Sequence, residues 1–233
     1  MKLWRSTTIA ITCVAVAVTS ACVRTSEGVP MADSSAPATS TSTSRPSTAA
    51  PTTDNDQGPP GIVPTTQVPV PAGAITCPMP NRSGVMITAT TADPGAPQIM
   101  VAVPPGWKSS TGSGAVGARM EGPDGLSAVV TIAPTDLDPA AAFRDYTDKL
   151  MAQSAVSSVS ILPGELCEYS GQKLMGAWSD TPQNSIEFID RIVHVWTNTT
   201  NYLVSVHVQA PTGVHGLDAA GELLTEDFEV RIP

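Results

Sequence analysis

Two runs near the C-terminus, Ile186–Trp196 and Tyr202–Ala210, constrain this chain more than any other feature. Both are rich in β-branched and aromatic residues, and only the polar stretch Thr197–Asn201 separates them. That pattern specifies two antiparallel strands joined by a short connection. A turn centred between Asn198 and Thr199 places Asp190 opposite His207 and His194 opposite Leu203. Successive side chains of a strand point to opposite faces. Ile189, Val193, Val195, Tyr202, Val204, Val206 and Val208 therefore form one apolar stripe suited to a core. The other face carries Phe188, Asp190, Ile192, His194, Trp196, Leu203, Ser205 and His207. A slip of one residue would exchange the two faces.

Further strands are expected at Gly84–Thr90 and Gln98–Val103, the second ending at Pro104-Pro105-Gly106-Trp107. Val116–Glu121 and Leu126–Ala133 read as a hairpin turning at Gly122-Pro123-Asp124-Gly125. Asp138 and Pro139 open a helix as N-cap and first helical residue. Its buried stripe is Phe143, Tyr146 and Leu150. Shorter strands are expected at Val156–Leu162, Gly164–Tyr169 and Gln172–Trp178, a second helix at Leu217–Thr225, and a last strand at Phe228–Ile232. Strands and helices in that order predict an α+β domain, a mostly antiparallel β-sheet packed by helices, over residues 75–233.

The N-terminus has a different chemistry. Lys2 and Arg5 precede the apolar run Ile9–Val18, and Thr19-Ser20-Ala21 leads into Cys22. The apolar run is about half of the roughly 20 residues a membrane span needs, so it reads as a secretory signal, residues 1–21. Cys22 is then the expected site of a diacylglycerol or acyl anchor. Cysteine arithmetic agrees. Cys13 leaves with the signal, and lipidation of Cys22 uses the odd thiol, so Cys77 and Cys167 can form a disulfide outside the membrane. Residues 22–74 are rich in Ser, Thr, Pro and Ala, and residues 23–74 contain no aromatic side chain. They are expected to form a disordered tether. Four basic and four acidic residues balance through residue 74, so the net charge of −9 lies on residues 75–233. An acidic domain does not suit nucleic acid, and the expected membrane connection runs through the lipid alone.

No sequence motif carries catalysis. Gly112-Ser113-Gly114-Ala115-Val116-Gly117 matches G-x-G-x-x-G, but it lacks the strand before and the helix after that a dinucleotide needs. It reads as a loop. No G-x-S-x-G elbow is present. Asp136/Asp138 and Glu226/Asp227/Glu229 lack metal-ligand spacing, and no metal or cofactor is expected. The polar face of the hairpin is left as the candidate binding face: Asp190 paired with His207, together with His194 and Trp196.

Several short segments resemble the LpqN/LpqT group of mycobacterial lipoproteins, whose domain has a PsbP-like α/β/α sandwich fold. They are Val103-Pro104-Pro105-Gly106-Trp107, Asp136-Leu137-Asp138-Pro139, Gly176-Ala177-Trp178 and Tyr202-Leu203-Val204-Ser205-Val206. The resemblance covers about residues 97–232 and carries no catalytic residues. It implies a lipid-anchored protein on the outer side of the cell membrane, with a non-enzymatic binding or interaction domain for a protein partner or a lipid ligand. A carrier of a hydrophobic small molecule is the alternative.

Overall fold

A computed structural model describes residues 58–64, 67–80, 84–181 and 183–233. The expected signal and Cys22 lie outside the described residues. Among those described, no helix is long and apolar enough to cross a membrane.

Eleven strands and two helices follow one another along the described chain. They are β1 (Ile75–Cys77), β2 (Val85–Ala89), β3 (Gln98–Val103), β4 (Lys108–Thr111), β5 (Val116–Glu121), β6 (Ser127–Thr135), α1 (Pro139–Met151), β7 (Val156–Pro163), β8 (Gly171–Ser179), β9 (Ser185–Trp196), β10 (Asn201–Pro211), α2 (Leu217–Thr225) and β11 (Glu229–Arg231). A seven-stranded antiparallel sheet runs in the order β4-β5-β6-β10-β9-β8-β7, and a four-stranded sheet in the order β1-β11-β3-β2. The domain is α+β, as the sequence predicts.

The β9–β10 register is the one read from the sequence: Asp190 opposes His207 and His194 opposes Leu203. Val193, Val195, Tyr202, Val204, Val206 and Val208 are all buried in the main core. That core lies on one face of the large sheet, beneath α2 and the small sheet, and includes Leu224, Phe228 and Val230. Helix α1 covers the other face, where Phe143 and Leu150 pack on Leu174, Phe188 and Ile192. Asp138 caps α1 as expected, its Oδ1 accepting from the Ala141 N–H at 2.9 Å. The helix lies against β7, β8 and β9. Beside it, the outer face of β6 and β10 is left open.

Some elements differ from expectation. Gly164–Tyr169 is a loop and not a strand. Cys167 takes a left-handed backbone (φ 53°), and Leu166 and Tyr169 pair across a tight turn. The disulfide to Cys77 holds that turn, with the two Cα atoms 5.8 Å apart. It joins β1 of the small sheet to the β7–β8 connection. Contrary to expectation, a strand, β4, directly precedes the G-x-G-x-x-G segment, which forms the β4–β5 turn and the first two residues of β5; the Val116 N–H donates to the Ser113 carbonyl at 3.1 Å. The expected boundary at residue 75 moves toward the N-terminus. Gln172 Nε2 donates to the Pro60 carbonyl at 2.8 Å, and the Gly171 N–H donates to the Gly61 carbonyl at 2.9 Å. The Ser170 hydroxyl donates to the Val63 carbonyl, and the Asn198 side chain bonds both backbone groups of Val70. The end of the Pro-rich stretch is thus part of the domain. It is held by scattered hydrogen bonds to the start of β8 and to loop residues, which carry no periodic signal.

Arg191 is the least expected core residue. It shares the inward face with Val193 and is 3% exposed. Its Nη1 donates to the Thr225 carbonyl at 3.2 Å and its Nη2 to the Glu165 carbonyl at 2.7 Å. One cation thus serves a carbonyl at the C-terminal end of α2 and another in the disulfide loop, as the helix dipole favours. Replacing both Cys77 and Cys167 by Ser opens the covalent loop, whose sequence separation is 90 residues. Urea unfolding is expected to show a loss of up to about 4.6 kcal/mol.

Candidate functional site

Asp190 occupies the middle of β9 and is fully buried on the α1 side. A carboxylate out of water needs partners for both oxygens. It has them. The Tyr146 hydroxyl, from α1, donates to Oδ2 at 2.8 Å. His207 Nδ1, from the opposing position of β10, donates to Oδ1 at 2.6 Å. The other ring nitrogen, Nε2, bonds Gln209 Oε1 at 3.1 Å. The relation of Gln209 to His207 follows from the two-residue period of the strand.

The electrostatics are consistent with an imidazolium at His207. Burial opposes its charged form, but the hydrogen bond and charge of Asp190, with help from Gln209, hold its pKa above the ordinary histidine value. Burial also raises the Tyr146 phenol well above its ordinary value, and the Asp190 charge adds to this, so Tyr146 is a neutral donor. Aromatic rings complete the setting. Trp178 stacks on His207 with centroids 5.6 Å apart and planes 6° apart, and on Phe188 at 4.8 Å. A parallel ring over a cation is favourable. Gly176 makes room for this stack, because a Cβ there would lie 2.6 Å from the Phe188 ring.

His207 faces a cleft of about 530 Å³ between α1 and the open strands β6 and β10. Val129, Thr131 and Ala133 of β6 form its floor with Leu203 and Ser205 of β10, and Tyr146, Lys149, Leu150 and Gln153 form the helical wall. A volume of this order accommodates a small organic ligand. The floor mixes the apolar Val129, Ala133 and Leu203 with Thr131 and Ser205, and His207 and Gln209 stand at one end.

His194 and Trp196 do not join this cluster. His194 lies under the start of α1, its Nε2 donating to the Leu137 carbonyl at 3.0 Å, while Nδ1 is buried without a partner. Burial lowers its pKa, opposed by the Leu137 carbonyl and the charge of Asp138, and it is a neutral packing residue. Trp196 lines a separate cleft of about 410 Å³ with Tyr169, Thr76 and Val70. Six residues of strand separate Asp190 from Trp196, about 20 Å. Shared parity put these side chains in one set, and strand length separates them. Tyr146, Trp178 and Gln209 belong to the cluster but were not marked as site residues by the sequence. Gln209 could have been found from its spacing to His207, whereas Tyr146 reads as an ordinary member of an apolar stripe. Among the described residues, no group of acidic, histidine or cysteine side chains could hold a metal ion.

No protein-family model matches the sequence, and no curated protein matches it significantly. Among solved structures, one that is similar is LpqN of Mycobacterium tuberculosis, described as involved in cell envelope biogenesis. The TM-score is 0.49 at 16% sequence identity, over 63% of this chain and 91% of that one.

The raised pKa of His207 gives a pH dependence with a definite sign. Its pairing with Asp190 stabilises the fold fully below the unfolded histidine value of about 6.5, and that contribution is lost as pH rises through the higher folded value. Thermal melts of the wild type and His207→Gln should therefore differ most near pH 6 and converge toward pH 9. A gap that is constant across this range would contradict the ion pair.

Proposed function

We propose that this chain is a lipid-anchored cell-envelope protein whose α+β domain binds a ligand or partner, without turning it over, through the cleft between α1, β6 and β10. The observation that carries the reading is the Tyr146–Asp190–His207–Gln209 chain along the wall of that cleft. Both nitrogens of His207 are engaged, one by Asp190 and one by Gln209. A general base needs a free nitrogen within reach of the proton it takes. This imidazole is instead a fixed part of the cleft wall, with both nitrogens already satisfied.

The anchoring is supported by the sequence Thr19-Ser20-Ala21-Cys22 and by the long Ser/Thr/Pro-rich stretch after it. The Cys77–Cys167 disulfide fits a compartment outside the reducing cytoplasm. The apolar floor of Val129, Ala133 and Leu203 favours a second, narrower reading, a carrier of a hydrophobic small molecule with one polar end.

Two measurements test this. In cells that export the full chain, Cys22→Ala should move the protein from the membrane fraction to the soluble envelope fraction. Retention in the membrane would refute the anchor. A photo-crosslinking amino acid at Gln153, on the cleft rim, should give a discrete adduct in the native envelope. Thr131→Trp, which fills the floor, should abolish it. An adduct unaffected by Thr131→Trp, or none at all, would place binding elsewhere. The mass of the adduct separates the two readings: a gain of small-molecule size indicates the carrier, and a protein-sized gain indicates a partner.

A further inference from the structure

The large sheet ends at β7, which pairs only with β8 among the described residues. The outer flank of such a strand presents unpaired backbone N–H and C=O groups, a template for another strand. Proteins usually guard these edges with charge, proline, bulges or shortness. The opposite edge, β4, conforms, with four residues beginning at Lys108. β7 does not. Its eight residues, Val156 to Pro163, carry no charge, and the only proline is the last. Its pairing with β8 is continuous, without a bulge. It also presents apolar surface, with Val156 68% exposed and Leu162 47% exposed, beside Met175 of β8 at 46%.

We propose that β7 is a self-pairing edge that joins two copies of this chain, antiparallel, into one continuous sheet about a two-fold axis at Val159. A two-fold axis perpendicular to the sheet keeps each face on its own side. A residue can therefore oppose only one of the same parity in the second copy. Centring at Val159 puts Val156 opposite the second copy's Leu162, Ser157 opposite Ile161, and Ser158 opposite Ser160. The two most exposed apolar side chains of β7 then cover each other, twice over. Centring at Ser158 or Ser160 would place Val156 and Leu162 against Ser or Gly. No like charges meet in the Val159 register, although the domain as a whole is acidic.

The place where the N-terminal chain enters favours a second copy over a foreign strand. Pro59 and Pro60 lie beside Ile161 and Gln172 on the α1 side of the sheet, two residues along β7 from the axis. The two-fold keeps both α1 faces on one side. Pro59 and Pro60 of both copies then lie close to the axis and on the same side of the joint sheet, as two copies held in one membrane require. Anchoring also confines the copies to a surface, which raises their effective concentration. That shared side has meaning only with the anchor at Cys22, whereas the pairing depends on β7 alone.

Cysteine crosslinking of the full chain in its membrane tests the register. Opposed Cα atoms in an antiparallel pair are about 4.5–5.5 Å apart, within disulfide range. Val159→Cys should therefore give a band of twice the chain mass under mild oxidation. Ser157→Cys should not, since its counterpart is four residues out of register, about 13 Å along the strand. Adding Ser158→Lys with Ser160→Lys opposes like charges across the axis and should abolish the Val159→Cys band. Ser158→Lys with Ser160→Glu opposes unlike charges at the same exposed positions and should restore it, which separates lost pairing from lost folding. No band from Val159→Cys, or equal bands from Val159→Cys and Ser157→Cys, overturns the proposal. So does a band whose mass reports a different protein. Fractionation of the same samples reports anchoring independently, so failure of the anchor and failure of the pairing are distinguishable.

Discussion

The buried carboxylate of Asp190 is the constraint to which the α1 side of this domain answers. It has no exposure at the centre of a sheet face, so its two oxygens dictate what surrounds it. One oxygen takes Tyr146 and thereby fixes the rotation of α1 about its axis. The other takes His207 and fixes the side chain opposite it on β10. Phe143 and Leu150 are carried on the same helix into the apolar cluster over β8 and β9. Removing one partner would leave a buried charge uncompensated, which costs far more than the pair contributes on balance. The helix is therefore held over β7, β8 and β9, and the neighbouring strands β6 and β10 remain uncovered. The cleft is a consequence of where that helix is pinned.

The two faces of the large sheet are built on different principles. The inner face is apolar packing against α2 and the small sheet, interrupted by one arginine that serves carbonyls from two elements. The outer face combines an aromatic stack, a charge pair and an open strip. Trp178, Phe188 and His207 lie on three adjacent strands, β8, β9 and β10, so the stack bridges strands that the backbone ladder already joins. Rigidity is concentrated around the imidazole, while the floor beyond it is plain strand.

Much of this was legible in the sequence because it depends on local periodicity. Alternation in Ile186–Trp196 and Tyr202–Ala210 groups the residues by face, the turn position between them sets the register, and the pairing of Asp190 with His207 follows. Asp138 and Pro139 mark the start of α1 by capping chemistry alone. What was not legible depends on contacts between elements. Tyr146 reads as one more apolar position until the carboxylate beneath it is known. Arg191 interrupts a valine-rich stripe, and its partners lie 34 and 26 residues away in sequence. Parity also groups His194 and Trp196 with the site, yet strand length carries them away from it. The hydrogen bonds of Pro60, Gly61 and Val63 leave no pattern at all in a Pro-rich stretch.

The disulfide has a mechanical meaning once the chain is considered as something pulled from its N-terminus. Tension arriving at residue 58 first loads the hydrogen bonds of Pro60, Gly61, Val63 and Val70, each of which can break singly. Peeling proceeds as far as Cys77 and there meets a covalent bond. The load then passes directly to Cys167, in the β7–β8 connection, bypassing β2 to β7 and α1. The strands between the two cysteines in sequence, β7 among them, are shielded, and the pull falls on the short connection that leads into β8.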